Sequence, residues 1–172
     1  RLLVDPSPHS DELAGLLFER AGLRPEHIDA VFVTHWHGDH RFGLGLFRDA
    51  EWLMATAGLE EWKAQQDADL TLIERFVPAE DALPEGLALL NDPGHTDALH
   101  ALVVPTPWGP AAITGDAVMM PEFFEAEEGY RKSVDFEQAT ETIRRIKEMA
   151  ALVVPGHVNL ILNLPTSDES DS

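Results

Sequence analysis

Four short apolar runs in this chain each lead into a histidine or an aspartate, and this regularity constrains the fold more than any other feature. Ile28 to Thr34 leads to His35, and Leu87 to Leu90 leads to His95 through Asn91-Asp92-Pro93-Gly94. Ala111 to Gly115 leads to Asp116, and Leu152 to Val154 leads to His157 through Pro155-Gly156. Short apolar runs bounded by turn residues read as buried strands. Reactive side chains just beyond the carboxyl ends of strands share one edge of the sheets, where α/β proteins place their sites. Pro-Gly-His occurs at both 93–95 and 155–157. Pro and Gly there set a tight turn that aims the imidazole, and the recurrence hints at a duplicated half-fold.

Between these runs the helical period of 3.6 alternates with strands, which predicts an α/β layered architecture. Ser10 is a candidate N-cap for a helix through Arg20 with Leu13, Leu16 and Leu17 on one face. A short helix is expected over 42–47, a strand over 52–55 and a helix over 56–66. Residues 70–85 are ambiguous. Val134 to Met149 is the clearest helix, capped by Ser133 or Asp135. Leu2 to Val4 reads as a strand ending at Asp5-Pro6, and the opening at Arg1 reads as a chain beginning inside a fold. One domain is expected over 1–164, followed by an acidic disordered tail over 165–172 that carries Asp168, Glu169 and Asp171.

The formal net charge is -19, from 12 basic and 31 acidic side chains. Nucleic-acid binding is driven by phosphate neutralisation, so this balance argues against a polyanion as the main partner. No apolar stretch is long enough to span a membrane. A small-molecule substrate and a cytoplasmic location are the expectations. The chain has no cysteine, which excludes disulfides, thiolate ligands and a cysteine nucleophile.

The segment Thr34-His35-Trp36-His37-Gly38-Asp39-His40 concentrates three imidazoles and a carboxylate within six residues. Zinc, iron and manganese accept these donors. With His95, Asp116 and His157, the order of residues resembles the metallo-β-lactamase superfamily, whose motif is His-x-His-x-Asp-His followed by a distant His, Asp and His. The resemblance covers nearly the whole chain. It implies an αββα sandwich, here lacking its first N-terminal strands. It also implies that His35, His37 and His95 hold one metal, that Asp39, His40 and His157 hold a second, and that Asp116 bridges them. Two zinc ions are expected, and iron or manganese suits the same donors. A metal-bridging hydroxide would be the nucleophile, with Asp39 and Asp116 the catalytic carboxylates.

Within such a family the expected activity is hydrolysis of a small ester, lactone or thioester. The alternatives are a phosphodiesterase or nuclease of the same fold, a non-catalytic metal-binding fragment, and iron-dependent redox chemistry. The common dizinc lactamases use a cysteine at the second metal, which this chain lacks. Acyl-homoserine lactonases typically carry a tyrosine three residues after the bridging aspartate, where this chain has Met119. Asp5 stands where the family places an aspartate that supports the metal site, and it is equally a strand-ending turn residue. Thr34, Thr96 and Thr114 are either hydrogen-bond donors to the site or ordinary strand residues. His9 and His27 read as exposed, His100 as a strand-end histidine, and Met119 to Tyr130 as an irregular apolar wall. Of the four tryptophans, Trp36 alone lies between two candidate ligands.

Overall fold

The computed structural model describes residues 1–163, so the expected tail at 165–172 lies outside the described residues. Two sheets stack face to face, each carrying helices on its outer side. The first sheet is built from β1 (Leu2–Val4), β2 (Ala30–Phe32), β3 (Glu51–Met54) and β4 (Phe76–Pro78), in that order and all parallel. The second contains β5 (Ala88–Asn91), β6 (His100–Thr106), β7 (Gly109–Gly115), β8 (Leu152–Pro155) and β9 (Ile161–Leu162). Its pairs are antiparallel except for β7 and β8.

Strand alternation sorts side chains into layers. Val31 and Val33 face one way, toward Leu13 and Leu17 of α1 (Ser10–Ala21) and Leu59 and Trp62 of α2 (Thr56–Lys63). Phe32 and Leu53 face the other way and meet Leu102, Leu89, Val104 and Ile113 of the second sheet. On the far side of that sheet, Ala112 and Val153 pack against Ile143 and Ile146 of α6 (Phe136–Met149). This is the expected αββα sandwich. Phe32 and Leu53 are fully buried in the middle layer, and an apolar side chain of this size contributes roughly 1.5–3 kcal/mol when fully buried.

The helices follow their sequence signals closely, with some corrections at the boundaries. In α6 the buried Ala139, Thr142, Ile143 and Ile146 repeat at helical spacing, and the Asp135 carboxylate accepts the Gln138 amide at 2.9 Å, so Asp135 is the N-cap. In α1 the N-cap is His9, without a side-chain cap, and Ser10 is the first helical residue. Residues 42–47 hold only a 3-10 turn at Leu44–Leu46. The ambiguous 70–85 segment divides into α3 (Leu70–Ile73), β4 and α4 (Ala79–Ala82). The expected irregular wall after Asp116 contains α5 (Pro121–Ala126), whose Phe124 joins the core beneath α6. Proline at the start of α5 fits its first turn, where a missing N–H costs nothing.

Parallel pairing of β1, β2 and β3 puts the carboxyl ends of these strands on one edge. The His100 amide donates to the Thr34 carbonyl at 3.1 Å and ties the two sheets together there. Among the described residues no helix is long and apolar enough to cross a membrane.

Candidate metal centre

All seven expected ligand residues converge on the edge where the strands end. The Nε2 atom of His35 lies 2.9 Å from Nδ1 of His37, which lies 3.1 Å from Nε2 of His95. Nitrogens bonded to one tetrahedral zinc at about 2.0–2.1 Å stand roughly 3.3 Å apart, so this cluster has the span of a single-ion site. A second cluster adjoins it. Oδ1 of Asp116 is 3.1 Å from Nε2 of both His40 and His157. Oδ2 of Asp39 lies 3.8 Å from each of the same two nitrogens. The other oxygen of Asp116 faces the first cluster, 3.3 Å from Nε2 of His95. Asp116 thus stands between the two groups.

Burial divides the clusters. His35, His40, His95 and Asp116 are buried, whereas Asp39 and His157 are open to solvent. Among the described residues, Nε2 of His40 and Oδ1 of Asp116 are buried and lack a well-aligned hydrogen bond despite their closeness. Buried polar atoms left facing one another in this way fit a cation between them.

The charges reinforce this. Burial pushes His35, His37 and His95 below the usual imidazole range, His95 to about 4. These three are neutral near pH 7, as metal-ligating imidazoles must be. Burial alone would also lower His40, but the carboxylates of Asp116 and Asp5 overcome it and raise the group to about 10. Burial likewise works against ionised Asp116, yet the imidazoles of His40, His35 and His95 hold its carboxyl well below the usual range.

A ring of contacts fixes these side chains. Asp5 sits at φ 46° and turns its carboxylate inward. Its Oδ1 accepts the Thr34 amide at 2.9 Å, and its Oδ2 accepts the Thr34 hydroxyl at 2.8 Å. That same Oδ2 lies 2.9 Å from Nδ1 of His40. The Thr34 hydroxyl, already donating to Asp5, can accept a proton from Nδ1 of His35 at 3.1 Å. Each imidazole thereby keeps Nε2 for the cluster, which is how neighbours of metal-ligating histidines usually act. Asp5 is therefore more than a turn residue. Thr114 donates instead to the strand backbone at Val154.

Several supporting groups had no sequence signal. The Arg41 guanidinium lies over the Trp62 ring at 4.2 Å, and its Nε donates at 2.8 Å to the carbonyl of Trp36, between His35 and His37. The Trp36 ring packs against the core on the helix side of the first sheet. Glu61 of α2 accepts the amides of Asp97 and Ala98, just after His95. Helix α6 holds the near side of the same loop. Its Thr142 hydroxyl donates to the Pro93 carbonyl at 2.8 Å, and Arg145 pairs with buried Asp92. Burial still pushes Asp92 up to about 7 despite that partner. His100 opens β6, with Nδ1 3.0 Å from the Ala98 carbonyl.

A two-sheet sandwich with paired His/Asp clusters at its edge defines a class of metal-binding α/β proteins. The family model for the metallo-beta-lactamase superfamily matches residues 1–157, and the chain belongs to that superfamily. An N-acyl homoserine lactonase of a Bacillus species is 30% identical over 148 residues, covering 81% of this chain and 57% of the relative. Metallo-beta-lactamase domain-containing protein 1 of Xenopus laevis is 28% identical over 167 residues, covering 91% and 65%. Among solved structures, AiiA of B. thuringiensis with N-decanoyl-L-homoserine at its active site superposes with a TM-score of 0.60 at 25% identity, covering 79% of this chain and 56% of that one. The dizinc lactonase AidC reaches a TM-score of 0.71 at 17% identity, covering 94% and 70%, a likeness of fold alone. The chain spans a little over half the length of the lactonase relatives it matches.

Proposed function

We propose that this chain carries the dinuclear metal centre of a hydrolase that cleaves a small ester, lactone or thioester. The observation that carries this is the placement of Asp116 between two His/Asp clusters. Two divalent ions a few ångströms apart repel each other, and an anion between them offsets that repulsion. His35, His37 and His95 would hold one ion and Asp39, His40 and His157 the other, with Asp116 lying between the two clusters. The imidazole-rich donor set suits zinc. Bound there, such ions supply a hydroxide nucleophile near neutral pH and polarise a carbonyl oxygen.

The chain's own residues prepare that chemistry. Asp5 and Thr34 orient His40 and His35. The exposed side of Asp39 and His157 is where a substrate enters, since the His35 side is closed by protein. The lactonase names among the relatives support the ester and lactone classes. Met119 stands three residues after Asp116, where acyl-homoserine lactonases typically carry a tyrosine. Its carbonyl accepts the His157 amide at 3.2 Å, so this position also helps to place a proposed ligand.

A phosphodiesterase is the second reading, because an exodeoxyribonuclease of Streptococcus pneumoniae is 31% identical over 68 residues. Only 40% of this chain is covered there, and a net charge of -19 disfavours a polyanion. The deciding experiment is metal analysis by mass spectrometry, followed by turnover assays on esters, lactones, thioesters and bis(4-nitrophenyl) phosphate. Close to two zinc ions per chain with acyl hydrolysis is expected. Turnover of the phosphodiester alone would favour the second reading, and no turnover at all would reject both.

Metal uptake carries a proton signature. In the metal-free protein the raised pKa of His40 gives stability that is full below about pH 6.5 and lost as pH rises through about 10. At pH 7.5 His40 is therefore an imidazolium that must lose its proton to bind a metal. Neutral His35, His37 and His95 release none. Calorimetry in two buffers of different ionisation heat should report about two protons released per fully loaded chain, one from His40 and one from the water that becomes hydroxide. Release of only one would mean that His40 is already neutral.

A further inference from the structure

We propose that Arg20 selects substrates whose acyl group carries a carboxylate, an inference that rests on the hydrolase reading above. A groove of about 530 Å³ opens beside the exposed half of the metal centre, with Asp39 and His157 in its lining. That volume suits a small-molecule substrate. Phe42 and Val158 give the groove apolar surface; Phe42 is 50% exposed, its ring stacked on His9 at 4.7 Å. An acyl chain lying there would cover both.

The same groove is lined by Arg20 from the last turn of α1. Arginine is scarce in this chain relative to acid, and several other basic groups are engaged. Arg41 lies over Trp62 and bonds Trp36, while Arg144, Arg145 and Lys147 are in ion pairs. Among the described residues Arg20 has no ion-pair partner. An arginine lining a groove in a protein of net charge -19 is a local cation suited to a carboxylate, which its guanidinium can meet with paired hydrogen bonds.

Glu12 opposes it. It also lines the groove, eight residues earlier on α1, a rise of about 12 Å along the axis. It forms no ion pair with Arg20 and repels an anionic substrate. The two residues therefore predict selectivity changes of opposite sign. A neutral acyl chain would use Phe42 and Val158 alone, and an acyl chain ending in a carboxylate would use Arg20 as well.

The test compares 4-nitrophenyl hexanoate with the mono-4-nitrophenyl ester of adipic acid, using the zinc-loaded protein. The quantity read is the ratio of kcat/KM for the adipate ester over the hexanoate ester. Arg20→Ala should lower this ratio about fivefold, the scale of one solvent-accessible ion pair. Arg20→Lys should retain part of the selectivity, and Glu12→Gln should raise the ratio about twofold. All these differences should shrink in high salt. An unchanged ratio in Arg20→Ala, or a fall in Glu12→Gln, overturns the proposal. If the unaltered protein hydrolyses neither ester, the hydrolase reading fails on its own. The groove is then read by calorimetric binding of adipate to zinc-loaded protein. Weaker binding to Arg20→Ala supports the carboxylate subsite, and equal binding overturns it.

Discussion

Replacing Asp116 by alanine is expected to lower kcat for acyl hydrolysis by about a thousandfold or more, ~4 kcal/mol of transition-state stabilisation. The size follows from position. Among the described residues Asp116 is the one carboxylate that faces both His/Asp clusters, within 3.1 Å of His40 and His157 through one oxygen and 3.3 Å of His95 through the other. Without it, the proposed ions would repel each other with no carboxylate between them. The metal content should fall well below two per chain. Asp116→Asn keeps the shape and removes the charge, so it separates the electrostatic role from packing. For that variant the metal-free melting temperature should fall, because buried His40 loses one of the two carboxylates that stabilise its charge, and the rise produced by added zinc should shrink as well. Full turnover in both variants would remove the basis of the proposed function.

Most of this candidate site was legible in the sequence because its residues follow strands. Buried strands read as short apolar runs, so His35, His95, Asp116 and His157 stand out as potential ligands within a few residues of the end of such runs. The run 28–34 still overstated its strand. Only Ala30–Phe32 sits within the ladder, although the Val33 amide continues the pattern by donating to Leu53 at 2.9 Å. Strand β4 was hidden because it is three residues long and ends in Pro78, at an edge where a missing N–H is tolerated. Helix α5 was hidden because six residues hold too little periodicity to register.

The supporting contacts were illegible for another reason: they join residues far apart in the chain. Asp92 reads as a turn residue before a proline, yet it is fully buried and depends on Arg145, 53 positions away. A buried carboxylate needs such a partner, but the sequence does not say which arginine supplies it. The Arg41–Trp36 contact is local, but it depends on a loop path that only the assembled sheets define. Asp5 lay between the two cases. Its place after β1 suggested a role, and its left-handed backbone with three contacts to Thr34 and His40 supplies one.

The two Pro-Gly-His segments look alike in sequence and should respond differently to the same substitution. Gly94 has φ 130°, a conformation rarely adopted by other residues, and a methyl group there would meet the backbone nitrogen of Ala139 at 2.3 Å. The obstacle belongs to α6 and cannot rotate away. Gly94→Ala should therefore destabilise the metal-free protein by about 2–4 kcal/mol, from backbone strain together with displacement of a core helix. The melting temperature should fall clearly before any metal is added. At Gly156 the backbone is not left-handed, and the nearest obstacle is Oδ1 of Asp116 at 2.1 Å, with the Gly115 carbonyl carbon next at 3.0 Å. An alanine there pushes on the carboxylate that faces both clusters. Gly156→Ala should cost less fold stability than Gly94→Ala and more zinc affinity, on the order of 10–100-fold, the usual consequence of disturbing the setting of a ligand. Thermal unfolding with and without zinc separates the two, because Gly94→Ala shifts both curves and Gly156→Ala mainly the zinc-loaded one. If the two variants behave alike, the repeated motif does one job twice. If they differ as expected, Gly94 lets a helix approach the His95 loop, and Gly156 leaves room for Asp116.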